Sequence, residues 1–285
     1  MQGSGGGVLR NYPFITIFGD ILVGKGRRCL MINQIFAFKT KVEYERYEAD
    51  INYLVEKFQQ YELFLKENFK LIHIPKSIVW TSSELATTVF SNHPVPAFTN
   101  QHTIYMTPSV EEWRTFYLHQ LEDEMLPKEA EIEELKQYFE SITNDDVFCI
   151  LAHELTHHIE LFPDEFDEDR TDGIWFEEGM CEYLSQKFTL TQERYDKLRA
   201  IDKKMIALLK PKYGQFSIDQ FEMSSYEQNS LASIMLNYWR SAAAIHHLVE
   251  ERYAGNVKHV FDLYHEWYIN GRKEKLTDYF GVNDF

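Results

Sequence analysis

The chain has 285 residues, of which 44% are hydrophobic, and a formal net charge of −16 at pH 7. This length allows one large domain or two subdomains with a substantial core. The negative charge argues against nucleic acid and anionic membrane surfaces as partners, and it weakly favours neutral or basic peptides. The three cysteines give no disulfide framework, and their odd number suits a reducing compartment.

Residues 1–75 are predicted to form an N-terminal segment with a flexible leader, a hairpin and a long helix. Met1–Gly7 has the glycine-rich composition of a leader. Ile15–Val23 and Cys29–Phe38 can pair around the glycine-containing turn between them. No segment is long enough to span a membrane and no signal peptide is visible, so we expect a cytoplasmic protein. If a signal peptide has already been removed from this sequence, we expect a secreted protein instead.

The long helix is predicted from Val42 to about Phe69, where apolar residues recur at alternating steps of three and four. The heptads are few, so packing along the body of the same domain is favoured over a coiled-coil dimer. The apolar series consists of Tyr44, Tyr47, Ile51, Leu54, Phe58, Tyr61 and Leu65.

Short strands and two helices are predicted next. Leu71–Ile74 and Ser77–Trp80 have strand composition and are separated by a proline, and Thr103–Met106 is a further strand. Val110–Leu121 and Pro127–Ile142 have helical patterns, the second with a proline suited to the first turn.

A metal-binding pattern follows in His153-Glu154-Leu155-Thr156-His157. Residues four apart lie on one face of a helix, about 6 Å apart along its axis, so both histidines can reach one metal ion. Glu154 leans toward the same ion, where it can polarise a bound water molecule. His158 is turned by about 100° around the helix, which predicts a structural role or a contact with a ligand rather than metal binding.

A second amphipathic helix is predicted around Trp175–Tyr183, and it offers a carboxylate as the third protein ligand that a catalytic zinc ion requires. With the H-E-x-x-H motif, the residues Trp175-x-x-Glu178-Gly179 resemble the gluzincins, zinc peptidases that include thermolysin, the bacterial collagenases and the neutral aminopeptidases. The resemblance implies Zn²⁺ bound by His153, His157 and Glu178.

The resemblance also implies roles for three other acidic residues. Glu154 would be the general base, and Glu177 is the weaker candidate for the third zinc ligand. Glu182 lies one turn beyond Glu178 and would fix the orientation of a ligating histidine. Cys149 and Cys181 are predicted to be small buried hydrophobes rather than zinc ligands.

An oxyanion donor is implied further along the chain. Several gluzincins have a Y-x-x-G pattern about sixty residues beyond the glutamate ligand, and Tyr238–Ser241 fits it with serine in place of glycine. The resemblance implies that the hydroxyl of Tyr238 donates a hydrogen bond to the oxyanion. His246 and His247 are the alternatives for this role.

The resemblance covers residues 76–285 and implies an α+β zincin-type catalytic domain. A small mixed sheet and the zinc helix would occupy residues 76–160, and a mostly helical subdomain residues 161–285. Residues 102–107 would be an edge strand that holds an extended peptide beside the cleft, with an ordinary internal strand as the alternative. The acidic loop before the second helix is expected to be a solvated turn rather than a calcium site; its aspartates are Asp164, Asp167, Asp169 and Asp172.

The expected function is zinc-dependent hydrolysis of peptide or protein substrates. The G-x-M-E-N motif, with which the aminopeptidases anchor a substrate amino group, is absent from the sequence, so an endopeptidase is favoured. One alternative is a noncatalytic zinc-containing binding domain, against which the presence of Glu154 argues. Another is a proenzyme masked by residues 1–75.

Overall fold

The strands and helices are those of an α+β protein with one four-stranded sheet. The structure is a computed structural model, and it describes residues 32–91, 94–122, 129–164, 166, 172–221 and 230–285. Met1–Gly7 and the first arm of the predicted hairpin, Ile15–Val23, lie outside these residues. None of the helices among the described residues combines the length and hydrophobicity that a membrane span requires.

The sheet is mixed, with the order β1-β2-β4-β3. β1 runs parallel to β2, β2 runs parallel to β4, and β3 and β4 form an antiparallel hairpin. The side chain of Asn100 closes that hairpin by accepting hydrogen bonds from the backbone of His102 and Thr103. The strands are β1 (Asn33–Ala37), β2 (Ser77–Thr81), β3 (Ala97–Asn100) and β4 (Thr103–Met106).

The helices surround one continuous core. A π-helical turn, Ala86–Phe90, continues the short helix that ends at Leu85, and a second one, His247–Arg252, continues the helix that ends at His246. The helices are α1 (Lys41–Asn68), α2 (Ser83–Leu85), α3 (Val110–His119), α4 (Glu129–Glu140), α5 (Asn144–Thr156), α6 (Ile174–Thr189), α7 (Gln192–Tyr213), α8 (Leu231–His246), α9 (Val257–Ile269) and α10 (Leu276–Phe280).

The long helix α1 packs within the chain, as its narrow apolar face predicts. Thr40 begins it by accepting a hydrogen bond from the backbone of Glu43. The apolar face is buried, and the hydroxyl of Tyr61 lies 2.9 Å from that of Thr156 on α5. β1 pairs with β2, so the segment before residue 75 contributes a strand and a helix to the same core as the rest.

Two predictions about the strands are wrong. Residues 102–107 do not form an edge strand, because the short hairpin turn places β3 on the free side of β4. Leu71–Ile74 does not form a strand, since no partner strand pairs with it within the described residues. Helices α3 and α4 end about two residues earlier than predicted, and Pro127 lies outside the described residues.

Helices α6 and α8 pack closely against each other at Gly179. A Cβ atom added there would lie 2.5 Å from the backbone oxygen of Ser241 and 2.6 Å from Cγ1 of Ile245. Both distances are far below van der Waals contact, and the first atom belongs to a helix backbone, which cannot move aside alone. Only glycine therefore permits this helix pair.

We expect Gly179→Ala to lower the free energy of unfolding by about 1–3 kcal/mol, as overpacked cores usually do. Urea denaturation of the full chain measures this change. Ala200→Ser, which adds one atom to the exposed face of α7, is the control and should change stability by less than about 0.5 kcal/mol. Equal stability of Gly179→Ala and the native chain would show that the helices separate without cost.

Candidate metal centre

Two helices bring the candidate metal-binding side chains together. His153 lies in the last turn of α5, and His157 caps that helix, so the spacing of four places both rings on one face. Asp146 fixes the beginning of α5 by accepting a hydrogen bond of 2.8 Å from the backbone of Thr143. Glu178 comes from the first half of α6, which packs against α5.

The three donor atoms have a spacing that suits one tetrahedral metal ion. Nε2 of His153 lies 3.1 Å from Nε2 of His157 and 3.1 Å from Oε2 of Glu178. Nε2 of His157 lies 3.5 Å from the same carboxylate oxygen. Atoms that bind a tetrahedral zinc ion at about 2.0–2.1 Å lie about 3.3 Å from one another. His153, His157 and Glu178 therefore form a group that could hold a metal ion.

Each histidine also has a carboxylate at its other ring nitrogen. Nδ1 of His157 lies 2.7 Å from Oε1 of Glu177. Nδ1 of His153 lies 3.4 Å from Oε1 of Glu182, which is a contact without hydrogen-bond geometry, and the atom has no hydrogen-bond partner among the described residues. Metal-binding histidines usually donate this second N–H to a carboxylate, which directs Nε2 at the ion. Both outer carboxylates are in place for that role.

Glu177 was the weaker candidate for the third ligand, and it lies outside the group of three donor atoms. Its contact with the outer nitrogen of His157 was not predicted. The sequence signal that points to it is its place beside Glu178 at the start of α6. The 100° rotation between neighbouring helix residues separates the two carboxylates, and packing against α5 decides which histidine atom each one meets.

Burial and mutual attraction shift the pKa values of this group. Burial alone would lower the pKa of His153, but the carboxylates of Glu178 and Glu182 raise it to about 10. The pKa of His157 is likewise raised despite burial, by Cys181 and Glu178 first. Burial would raise the pKa of Glu178, but the two histidines hold it well below its usual range. The charged carboxylate favours a cation between these side chains.

Glu154 lies beside the group without belonging to it. Its side chain is buried, and burial raises its pKa to about 7, although the two histidines act in the opposite direction. Glu154 and His153 line a cavity of about 110 Å³ that extends between β3 and the helices α3 to α8, and Glu182, Gln186 and Asp202 line it as well. Its walls are mainly apolar and include Trp113, Phe116, Tyr117, Tyr138, Phe139 and Trp239.

Tyr238 is brought to the centre by α8. Its hydroxyl donates to Oε1 of Glu178 at 3.4 Å, and its ring centroid lies 6.1 Å from that of His153. The close packing at Gly179, next to Glu178, holds α8 near enough for this contact.

The two alternatives to Tyr238 point elsewhere. Nδ1 of His246 lies 2.8 Å from the hydroxyl of Tyr195, and Nδ1 of His247 lies 2.8 Å from a carboxylate oxygen of Glu251. Neither histidine lines the cavity beside Glu154. The tyrosine is therefore the better placed of the three candidates.

His158 and the cysteines lie outside the donor group. Nε2 of His158 lies 2.8 Å from the hydroxyl of Thr99 on β3, and burial lowers the pKa of His158 to about 3. This contact ties the edge strand to the end of α5. Cys149 and Cys181 are buried, as predicted for small hydrophobes, and Cys149 lies 2.9 Å from the hydroxyl of Thr189.

The acidic loop before α6 shows no calcium arrangement among its described residues. Asp164 and Asp172 both pair with the guanidinium of Arg272, so an arginine side chain already compensates their charges. Asp167 and Asp169 lie outside the described residues.

Comparisons with models of protein families, with curated proteins and with solved structures found no match to this chain. The proposed function therefore depends on the geometry of the candidate metal centre alone.

We expect Glu178→Ala to weaken zinc binding as severely as His153→Ala, because both remove an atom from the donor group. Glu177→Ala and Glu182→Ala should weaken it by about 10- to 100-fold, as losses of outer partners usually do. Competition with a chromophoric chelator measures the affinities. Glu160→Gln, at an exposed position beyond α5, should bind zinc as the native chain does. Similar affinities for Glu177→Ala and Glu178→Ala would contradict the assignment of the third ligand.

Proposed function

We propose that the chain is a zinc-dependent metallopeptidase. The observation that carries this proposal is a group of two imidazoles and one carboxylate with zinc-like spacing, beside a buried carboxylate that is not part of the group. A structural zinc site uses its ligands alone and keeps no open position. The extra carboxylate of Glu154 and the adjoining cavity are what a hydrolytic site adds.

The chain's own residues would divide the work as follows. Bound zinc would supply Lewis acidity and a nucleophilic water. Glu154 would accept a proton at its carboxylate and pass it to the leaving amine. Tyr238 would donate its hydroxyl hydrogen to the carbonyl oxygen of the substrate as negative charge develops there. Glu177 and Glu182 would keep the two ligating imidazoles in their binding tautomer.

The surroundings of the centre favour a peptide with a large apolar side chain near the bond that is cleaved. The cavity beside Glu154 is walled by aromatic and aliphatic side chains, which would exclude water from around such a group. An extended peptide would pair with β3, because β3 is the outermost strand of the sheet within the described residues and its Thr99 contacts His158, just beyond α5. Because the aminopeptidase anchor motif is absent from the sequence, we favour an endopeptidase.

A noncatalytic zinc-containing binding domain is the second candidate. It would explain the donor group and the two outer carboxylates equally well. It gives no use for Glu154, whose burial costs free energy that a purely structural site has no reason to retain.

Glu154→Gln should keep zinc bound and the fold intact but reduce peptide hydrolysis to background. The amide is nearly isosteric with the carboxylate, yet it cannot accept a proton at neutral pH. The measurement is the cleavage of a mixed peptide library by the zinc-loaded chain, with zinc content determined on the same sample. Glu160→Gln, an exposed change of the same kind, should cleave at the native rate. Cleavage by Glu154→Gln at the native rate would remove the general base from the mechanism.

Tyr238→Phe should lower the turnover number by roughly 10²–10³ and leave zinc content and substrate affinity nearly unchanged. The change removes one hydroxyl and keeps the ring, so α8 should pack as before. Steady-state kinetics and a melting curve on the same variant separate the two kinds of effect. Tyr279→Phe, on α10 away from the centre, is the matched control. A loss of stability with native turnover would make Tyr238 a packing residue only.

A further inference from the structure

A chain of polar contacts leads from the metal centre into the helix pair α6–α7. Glu182, whose Oε1 faces His153, accepts a hydrogen bond at Oε2 from the side-chain amide of Gln186. The carbonyl oxygen of that amide accepts from Nη2 of Arg199. Arg199 in turn pairs with the carboxylate of Asp202. Gln186, Arg199 and Asp202 are all buried, at 7%, 8% and 2% exposure.

The donor and acceptor properties of these groups allow one orientation of the amide. A guanidinium only donates hydrogen bonds, and a carboxylate only accepts them. The amide of Gln186 must therefore turn its oxygen to Arg199, which leaves its NH₂ group facing Glu182. Glu182 and Gln186 are one helical turn apart on α6. The carboxylate of Glu182 and the amide of Gln186 therefore lie on the same face of the helix.

A buried pair of opposite charges, Arg199 and Asp202, lies behind the amide. Arg199 and Asp202 lie one turn apart on α7, and burial of both makes the loss of either partner costly. Arg199 is thus held in place by Asp202 and by the ring of Tyr195, whose centroid lies 5.6 Å from its Cζ atom. Arg199 therefore donates to Gln186 from a buried position between Asp202 and Tyr195.

We infer that Gln186 and Arg199 are positioning residues for the metal centre and act through Glu182. Gln186 holds the carboxylate of Glu182 toward Nδ1 of His153, and Arg199 selects the amide orientation that allows this. His153 then carries its hydrogen on Nδ1 and presents Nε2 to the metal. The inference rests on the metal site of the proposed function, but it does not depend on which substrate is cleaved.

The decisive experiment is a double-mutant cycle on zinc affinity in the full chain. The variants are Gln186→Leu, Glu182→Ala and their combination, and the affinity is measured by chelator competition. Gln186→Leu should weaken zinc binding by about 10-fold, at the lower end of the range for outer partners. In the Glu182→Ala background it should have no further effect, because the group through which it acts is gone. Gln192→Leu, an exposed change of the same kind on α7, is the control.

A second variant tests the same inference even if Gln186→Leu does not fold. Arg199→Met combined with Asp202→Leu removes both charges of the buried pair together, a replacement that proteins often tolerate without loss of stability. It frees the amide of Gln186 to rotate, so zinc binding should again weaken by about 10-fold while the melting temperature of the zinc-free chain stays near the native value.

The outcomes separate this inference from the proposed function. Native zinc affinity in both variants, or losses for Gln186→Leu and Glu182→Ala that multiply in the combined variant, would overturn the inference and leave the zinc site standing. A native chain that binds no zinc would overturn both. Zinc binding without peptide cleavage would overturn the peptidase proposal and leave the positioning role intact.

Discussion

The structure depends on the burial of several ionisable groups where α5, α6 and α8 meet. Two imidazoles and a carboxylate lie within 3.5 Å of one another with little exposure to water. Each of them would be costly to bury alone, and together they exchange hydrogen bonds and opposite charges. The helices that carry them must therefore stay in register, since displacement of one ligand would leave the others buried without compensation.

Gly179 links this requirement to the packing of the whole helical half. Its missing side chain lets α8 contact α6 directly, and the adjacent residue is the third donor of the metal group. The same contact sets the distance between Tyr238 and Glu178. Gly179 thus allows the close packing of α6 and α8, and this packing determines how Glu178 and Tyr238, which would bind a metal and a substrate, are placed.

Polar side chains contact the two histidines at the ring nitrogens that face away from the donor group. Glu177 and Glu182 contact the two histidines at their outer nitrogens, and Gln186 extends the second of these contacts toward the buried pair of Arg199 and Asp202. Glu182, Gln186 and Asp202 also line the cavity beside Glu154, whose other walls, on α3 and α4, are mainly apolar. The polar residues behind His153 and the apolar recess therefore adjoin each other along the same cavity.

The sequence alone determined what depends on helical repetition within one segment. The spacing of His153 and His157 predicts a shared face, and the apolar series from Tyr44 to Leu65 predicts the buried side of α1, because both follow from 3.6 residues per turn. Only the tertiary structure decided which carboxylate meets which ring nitrogen, that β3 rather than β4 is the edge strand, and that Gln186 bridges to Arg199. These features arise between elements distant in sequence, and no local periodicity encodes how such elements pack.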